Sequence, residues 1–179
     1  MELYGQRGFD NTTVAEIAER AGLTERTFFR HFADKREVLF GGAGALQDLL
    51  INQVVDAPVG LSPIEVILRA LVVSAEEVFE QRREFARQRQ LIIAASVELQ
   101  EREQVKLASL ALALAAALRG RGVSDLPASL AAEAGIAIFK VAFERWIGDE
   151  GETSFPETIR ECADELMAVT SARVAPLHH

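Results

Sequence analysis

The sequence predicts an all-α protein in two parts: an N-terminal head of short helices over residues 1–44, its first helix truncated, and a C-terminal helical bundle over residues 45–179. Three observations predict it. Helix-start signals punctuate the head from Thr13 to Glu37. From Ala45 onward apolar residues recur at three- and four-residue spacing, as on one face of a helix. The one stretch that mimics a strand, the Leu-Ala alternation of Leu110 to Leu114, is rich in the strongest helix former and has helical flanks.

The head is organised around Thr12 to Phe40. Thr13 and Glu16 form a Thr-x-x-Glu capping box, in which each side chain satisfies the other's backbone N–H. Behind it Val14, Ile17, Ala18 and Ala21 make one apolar face. Gly22 follows the last turn, where a left-handed residue is wanted. Thr24 is the next cap, and Leu23 with Phe28 occupies the two positions of a hydrophobic staple. The helix so begun runs from Glu25 to Phe32. A third box, Asp34 to Glu37, opens a helix beginning at Lys35-Arg36.

Two short helices joined by a tight glycine-containing turn are the helix-turn-helix arrangement, whose second helix can enter the DNA major groove. Thr24, Glu25, Arg26, Thr27 and Arg30 lie on its outer face, with Phe28 and Phe32 inward. Arg26 has the fork that matches guanine, and Thr27 offers a methyl or a hydroxyl to a neighbouring base. Thr13, His31 and Lys35, at or beside helix starts, are placed to hold phosphates.

A formal net charge of −8 over 179 residues argues against a nucleic-acid partner only until its distribution is read. Residues 1–40 carry six Lys/Arg against seven acids, so most of the negative charge lies in the body. Within 24–36 four bases face Glu25 and Asp34, a small basic patch beside His31. The nearly uncharged run Ser109 to Leu118 is too short to cross a bilayer, and no secretory leader is visible, so a cytoplasmic chain without membrane contact is expected. The lone Cys162 excludes an internal disulfide and reads as a small buried residue.

Gly5 to Phe9, Thr12 to Ala18, Ala21 to Thr24, Thr27 to Phe32 and Asp34-Lys35 together resemble the N-terminal domain of the TetR/AcrR family of transcriptional regulators. The resemblance implies an all-helical homodimer that binds a palindromic operator in double-stranded DNA and is released by a small ligand held in its C-terminal domain. It also implies phosphate contacts at Thr13, Phe29, His31 and Lys35 and base contacts at Glu25, Arg26 and Thr27. The family usually has tyrosine where this chain has Phe29, so a hydroxyl contact is missing there.

Met1 to Gly8 reads as the end of a helix, and residues before Met1 are expected in the natural protein. Gly41 to Gly44 is a break before the apolar pattern Leu46, Leu49, Leu50, Val54. Ser62-Pro63 starts a long helix carrying Ile64, Ile67, Leu68, Leu71, Val72, Ala75 and Phe79 to about Gln81. Arg82 to Gln90 is strongly basic, either a second anion site or, more simply, a solvated face. A seam of Leu107, Leu110, Leu114 and Leu118 marks the next helix.

From Pro127 to Gly148 the charges before Arg145 fall on one narrow stripe, so this helix must be covered on more than one side. A second copy of the chain is the simplest cover, through Leu130, Ala131, Ala134, Gly135 and Ile138, joined by Ile159, Ala163 and Leu166 of the last helix in a four-helix interface. His178 and His179 read as tag remnants.

No metal-ligand spacing, Walker loop, dinucleotide fingerprint or nucleophile motif occurs, so no cofactor, no metal and no enzyme are expected. The aromatic set Phe79, Phe85, Phe139, Phe143 and Trp146, with Ile92, is either core packing or the lining of an apolar ligand pocket. The body also looks weakly like family domains that sense acyl-CoA-type or other apolar ligands. The expected function is thus a ligand-released repressor. The alternatives are a helical DNA-organising or interaction protein that uses the same head without an inducer, and an enzyme with a helical lipid-binding body.

Overall fold

The computed structural model describes residues 1–149, 151 and 153–171. These form α1 (Glu2–Arg7), α2 (Val14–Arg20), α3 (Glu25–His31), α4 (Glu37–Phe40), α5 (Ala43–Val55) and α6 (Pro63–Ser74). A π-helical turn, Ala75–Phe79, and a 3-10 turn, Glu80–Arg82, then lead into α7 (Arg83–Ala94), α8 (Val97–Gly120), α9 (Asp125–Gly148) and α10 (Phe155–Ser171). Among the described residues there is no strand. His178 and His179 lie outside them.

The helix starts follow local chemistry. Both halves of the capping box are made at Thr13/Glu16 and again at Ser62/Glu65, where Pro63 opens α6. Thr24 caps α3 by accepting from the Thr27 N–H. Gly22, at φ 68°, takes the left-handed conformation between α2 and α3. The third box is only half formed: Asp34 accepts from the Glu37 N–H at 3.3 Å, but Glu37 turns away to Arg102 and Lys106. The long helix expected to reach Gln81 keeps α-geometry only to Ser74.

The chain divides into two compact units. The first combines Met1–Asp48 with Arg82–Leu110. Its core is Tyr4, Phe9, Leu39, Phe40, Ile92, Ile93 and Leu99, so α7 and the start of α8 complete the apolar centre of the head. A charged layer adds to this. Arg36 pairs with Glu98 at 2.6 Å, Arg102 and Lys106 both reach Glu37, and Arg89 pairs with Glu103 at 3.0 Å. Arg89 and Lys106 also stand over the Phe40 ring.

The second unit takes Leu49–Gln81 and the chain from Ala111 onward. Here α9 packs on α6 and α10. Gly135 permits the close approach: a Cβ there would stand 2.3 Å from Ile67 Cγ2. Two stretches, Glu37–Val55 and Asp125–Gly148, are long and apolar enough by length and composition alone to cross a membrane. In α9 that apolarity is used against its neighbours, where Ala128, Ala132, Ile136, Ala142 and Trp146 are buried.

Two groupings expected from the sequence are corrected by these units. Phe79, Phe139, Phe143 and Trp146 do meet, with Phe155 as a fifth ring; Trp146 stacks on Phe155 at 4.8 Å and Phe79 meets all four others edge-on. Ile92 is instead in the core of the first unit, and Phe85 of the same unit is half exposed. Apolar character put them in one set, but the chain order of the units separates them. The second correction concerns the face of α9. Ala131, Gly135 and Ile138, with Ile159 and Ala163 of α10, are buried by their own chain, and Ala134 and Leu166 are half-buried. Of that set only Leu130 is exposed, and it shares an outer stripe with Leu126, Ala137 and Val141.

Candidate nucleic-acid interface

The head presents α3 on a rigid frame. Phe28 is 2% exposed and packs against the tilted ring of Phe32 at 5.1 Å, fixing the inner face of α3. Opposite it Thr24, Glu25, Arg26 and Arg30 are exposed, as the sequence places them, together with Phe29 and His31, whereas Thr27, expected on the same outer face, is half-buried. The Thr24 and Thr27 hydroxyls lie 3.1 Å apart, so the first turn of α3 closes its own cap. Thr13 is exposed at the start of α2, its hydroxyl held by Glu16 at 2.9 Å. The bonds from Thr13 hold the Glu16 carboxyl below its ordinary pKa, with Arg7 adding to the effect.

Ion pairing decides which cations are left to meet a polyanion. Arg7 pairs with Glu16 and Arg20 with Glu2, each at 2.6 Å. Arg36 is held by Asp34 and Glu98. Lys35 has a different task from the open phosphate contact expected of it. Its ammonium donates to the carbonyls of Phe9 at 2.8 Å, Thr12 at 3.1 Å and Asp10 at 3.4 Å, and it stands over the Phe9 ring. Its own carbonyl accepts from the Tyr4 hydroxyl at 2.5 Å. Burial, and then the charge of Asp34, push the Tyr4 phenol above its ordinary value, so it stays a donor. Three donors bound to three carbonyls make Lys35 a rivet between α1, the loop before α2 and the approach to α4.

Of the six Lys/Arg in residues 1–40, this leaves Arg26 and Arg30, and both are on α3. Arg30 touches only the His31 ring, at 3.4 Å, and Arg26 has no side-chain partner among the described residues. The residues that sequence reasoning missed lie behind this surface. Arg89 belongs to the basic run Arg82 to Gln90, yet its side chain is 20% exposed and bonded inward.

The profile of the tetR family of bacterial regulatory proteins matches residues 1–40, and that of the MftR C-terminal domain, a TetR C-terminal family, matches residues 61–171. The chain belongs to the TetR family.

TetR proteins are DNA-binding transcriptional regulators, and this one is similar to two curated members. The HTH-type transcriptional regulator TcmR of Streptomyces glaucescens is 37% identical over 65 residues, 36% of this chain and 29% of that protein. MftR, a proposed mycofactocin biosynthesis transcriptional regulator of Mycobacterium tuberculosis, is 29% identical over 159 residues, 84% of this chain and 77% of that protein. Among solved structures, Thermus thermophilus FadR, a TetR repressor in complex with lauroyl-CoA, aligns at TM-score 0.53 and 23% identity over 100% of this chain and 95% of that one. A transcriptional regulator from Rhodococcus sp. Rha1 aligns at 0.54 and 22%, over 98% and 94%. These two likenesses show the TetR fold. In TetR terms, α2 and α3 are the helix-turn-helix and the ring cluster lies in the C-terminal domain.

Proposed function

We propose that this TetR protein is a cytoplasmic homodimeric repressor that binds a palindromic operator and releases it when an apolar small molecule occupies the second unit. The observation that carries the DNA reading is that ion pairing consumes the other arginines of the head and leaves Arg26 and Arg30 on one exposed helix. Arg26 forks onto a guanine edge, with Glu25 and Thr27 against neighbouring bases. Arg30, His31, Thr24 and Thr13 hold phosphates, and Phe29, which has no hydroxyl, packs on sugar. Two copies of α3 then lie in successive major grooves about 34 Å apart.

Pairing of two copies is supported by the outer stripe of α9, where Leu126, Leu130 and Val141 stand exposed in a row, and by Met167 and Val169 on α10. Release is supported by the ring cluster, an apolar centre between bundle helices of the kind that ligands enter. An acyl-CoA-like molecule belongs to the class considered; FadR was solved with lauroyl-CoA. A ligand that favours one arrangement of the dimer shifts the population away from the DNA-bound one.

Selecting bound fragments from random DNA tests the proposal. It is expected to return an inverted repeat whose affinity drops with Arg26→Ala. A single half-site bound by a monomer would overturn the dimeric reading, and loss of selectivity without any Arg26 effect would overturn the recognition reading.

A further inference from the structure

Ser74 is the last residue of α6, is 2% exposed, and its hydroxyl has no hydrogen-bond partner among the described residues. Buried serines and threonines in helices normally bond back to the carbonyl one turn earlier. The buried Thr158 does so to Ser154 at 2.9 Å, as do the exposed Ser109 to Val105 at 2.9 Å and Thr170 to Leu166 at 2.7 Å. Among the described residues the other buried side-chain polar atom without a partner is Arg102 Nε, and that guanidinium already meets Glu37. Ser74 has a single polar atom and leaves it unused. Such a group costs stability, and a natural protein that keeps it needs a reason.

Its position supplies one. Ser74 lies on the buried stripe of α6 with Ile67, Ala70 and Leu71. Gly135 of α9 faces Ile67 and Leu71, whereas Phe79, beyond Ser74, meets Phe139, Phe143 and Trp146 of the same helix. Ser74 is therefore bracketed between the tight α6–α9 crossing and the five-ring cluster. Directly after it the helix widens into the π-turn, in which the Glu80 N–H bonds to the Ala75 carbonyl. π-turns are rare and occur mostly at functional sites, because one extra residue per turn offsets the backbone ladder. The rings meet edge-on at 5.4 to 6.5 Å around Phe79, an arrangement that a further flat ring can join by the same contacts.

We propose that Ser74 is the polar fixing point of a site for a neutral aromatic molecule bearing one hydroxyl or carbonyl, which enters the Phe79 cluster by displacing ring against ring. The inference rests on the second unit being the ligand-binding part of the regulator. It narrows the ligand to an uncharged ring compound, because a serine hydroxyl can donate to or accept from such a group but cannot neutralise a charge. The hydroxyl that finds no partner among the described residues would then bond to the ligand.

Calorimetry and thermal melting on the full chain with 2-naphthol and with naphthalene test this. 2-Naphthol should bind more tightly than naphthalene, by roughly tenfold for one added hydrogen bond. Ser74→Ala should melt higher than the native protein, since it removes an unsatisfied hydroxyl, and should bind the two compounds equally. Ser74→Thr should restore the preference. A Ser74→Ala variant that keeps it, or native protein that binds neither compound, overturns the proposal. So does a lauroyl-CoA affinity exceeding that of 2-naphthol and indifferent to Ser74→Ala. Should Ser74→Ala not fold, the preference of native protein for 2-naphthol over naphthalene decides alone. Ser74-dependent binding that leaves operator DNA bound upholds the site and refutes release by this ligand.

Discussion

Arg89 donates through Nε to the main-chain carbonyl of Leu39 at 2.8 Å, while its Nη1 reaches Glu103 and its guanidinium lies 4.9 Å from the centre of the Phe40 ring. One side chain of α7 thus holds α4 by a carbonyl and a ring, and ties both to α8 through the charge of Glu103. The bonds need a planar fork, which lysine lacks. Arg89→Ala is expected to cost the first unit about 1–2 kcal/mol, the scale of charge-assisted bonds that are partly screened. Arg89→Lys should recover less than half. Urea unfolding followed by far-ultraviolet circular dichroism checks both, and full recovery by lysine would show that charge alone matters.

Lys35 gives a prediction that separates structure from DNA contact. With its donors on the Phe9, Asp10 and Thr12 carbonyls, Lys35→Met should lower the melting temperature of the free protein. If Lys35 also held a phosphate, the slope of log affinity against log salt would fall by about one for that contact. The expected outcome is a lower melting temperature with the slope unchanged.

Arg26→Ala should cost about 1–3 kcal/mol on the selected operator and relax preference at one base pair in each half-site. Phe29 is 54% exposed on the same helix. Phe29→Tyr adds a hydroxyl at the edge of α3 and should strengthen specific and random DNA alike. Fluorescence anisotropy on both kinds of duplex distinguishes the two patterns.

Gly135→Ala places a methyl 2.3 Å from Ile67 Cγ2, and overpacking of this kind costs about 1–3 kcal/mol. Trp146 is the sole tryptophan and is buried in the second unit, so its emission reports that unit. The variant should shift the emission transition to lower urea, and Ile67→Ala added to it should restore part of the loss. An unshifted transition would mean that α6 and α9 do not meet at this glycine.

Glu16, Glu65 and Glu157 are each held below their ordinary 4.5 chiefly by bonds to the residue three before them, Thr13, Ser62 and Ser154. A carboxyl lowered on folding contributes stability that is present above its unfolded value and lost as pH falls through the folded value. The melting-temperature difference between native protein and Ser62→Ala should therefore be full at pH 7 and should narrow below pH 4.5 as Glu65 protonates. A difference that does not narrow at all would contradict the part played by the Glu65 carboxylate; the bond from the Glu65 N–H to the Ser62 hydroxyl remains at low pH.

What was legible from sequence was local. Thr13 with Glu16 and Ser62 with Glu65 act over three residues, so spacing alone places them. The exposed face of α3 followed from Phe28 and Phe32 pointing the other way. Less legible were contacts whose partners are far apart in the chain. Ile92 and Phe79 carry the same apolar signal, and nothing in that signal says they belong to different units. In α9 every direction but one is apolar, so periodicity could not tell Gly135, pressed on Ile67, from Leu130, which is 61% exposed. Lys35 and Arg89 read as surface cations because both donate to backbone carbonyls far off in the chain, which leave no mark in the sequence.

Leu39 and Phe40 share a core with Ile92, Ile93 and Leu99, and Leu49–Gln81, which lies between them in the chain, belongs to the other unit. On a ribosome, where domains tend to fold as units while synthesis continues, the DNA-reading segment emerges first but has nothing to close its greasy underside until some fifty further residues have followed. An isolated fragment ending before Ile92 would expose that underside permanently. The helix-turn-helix segment is made early, yet its unit closes only when Arg82–Leu110 has followed.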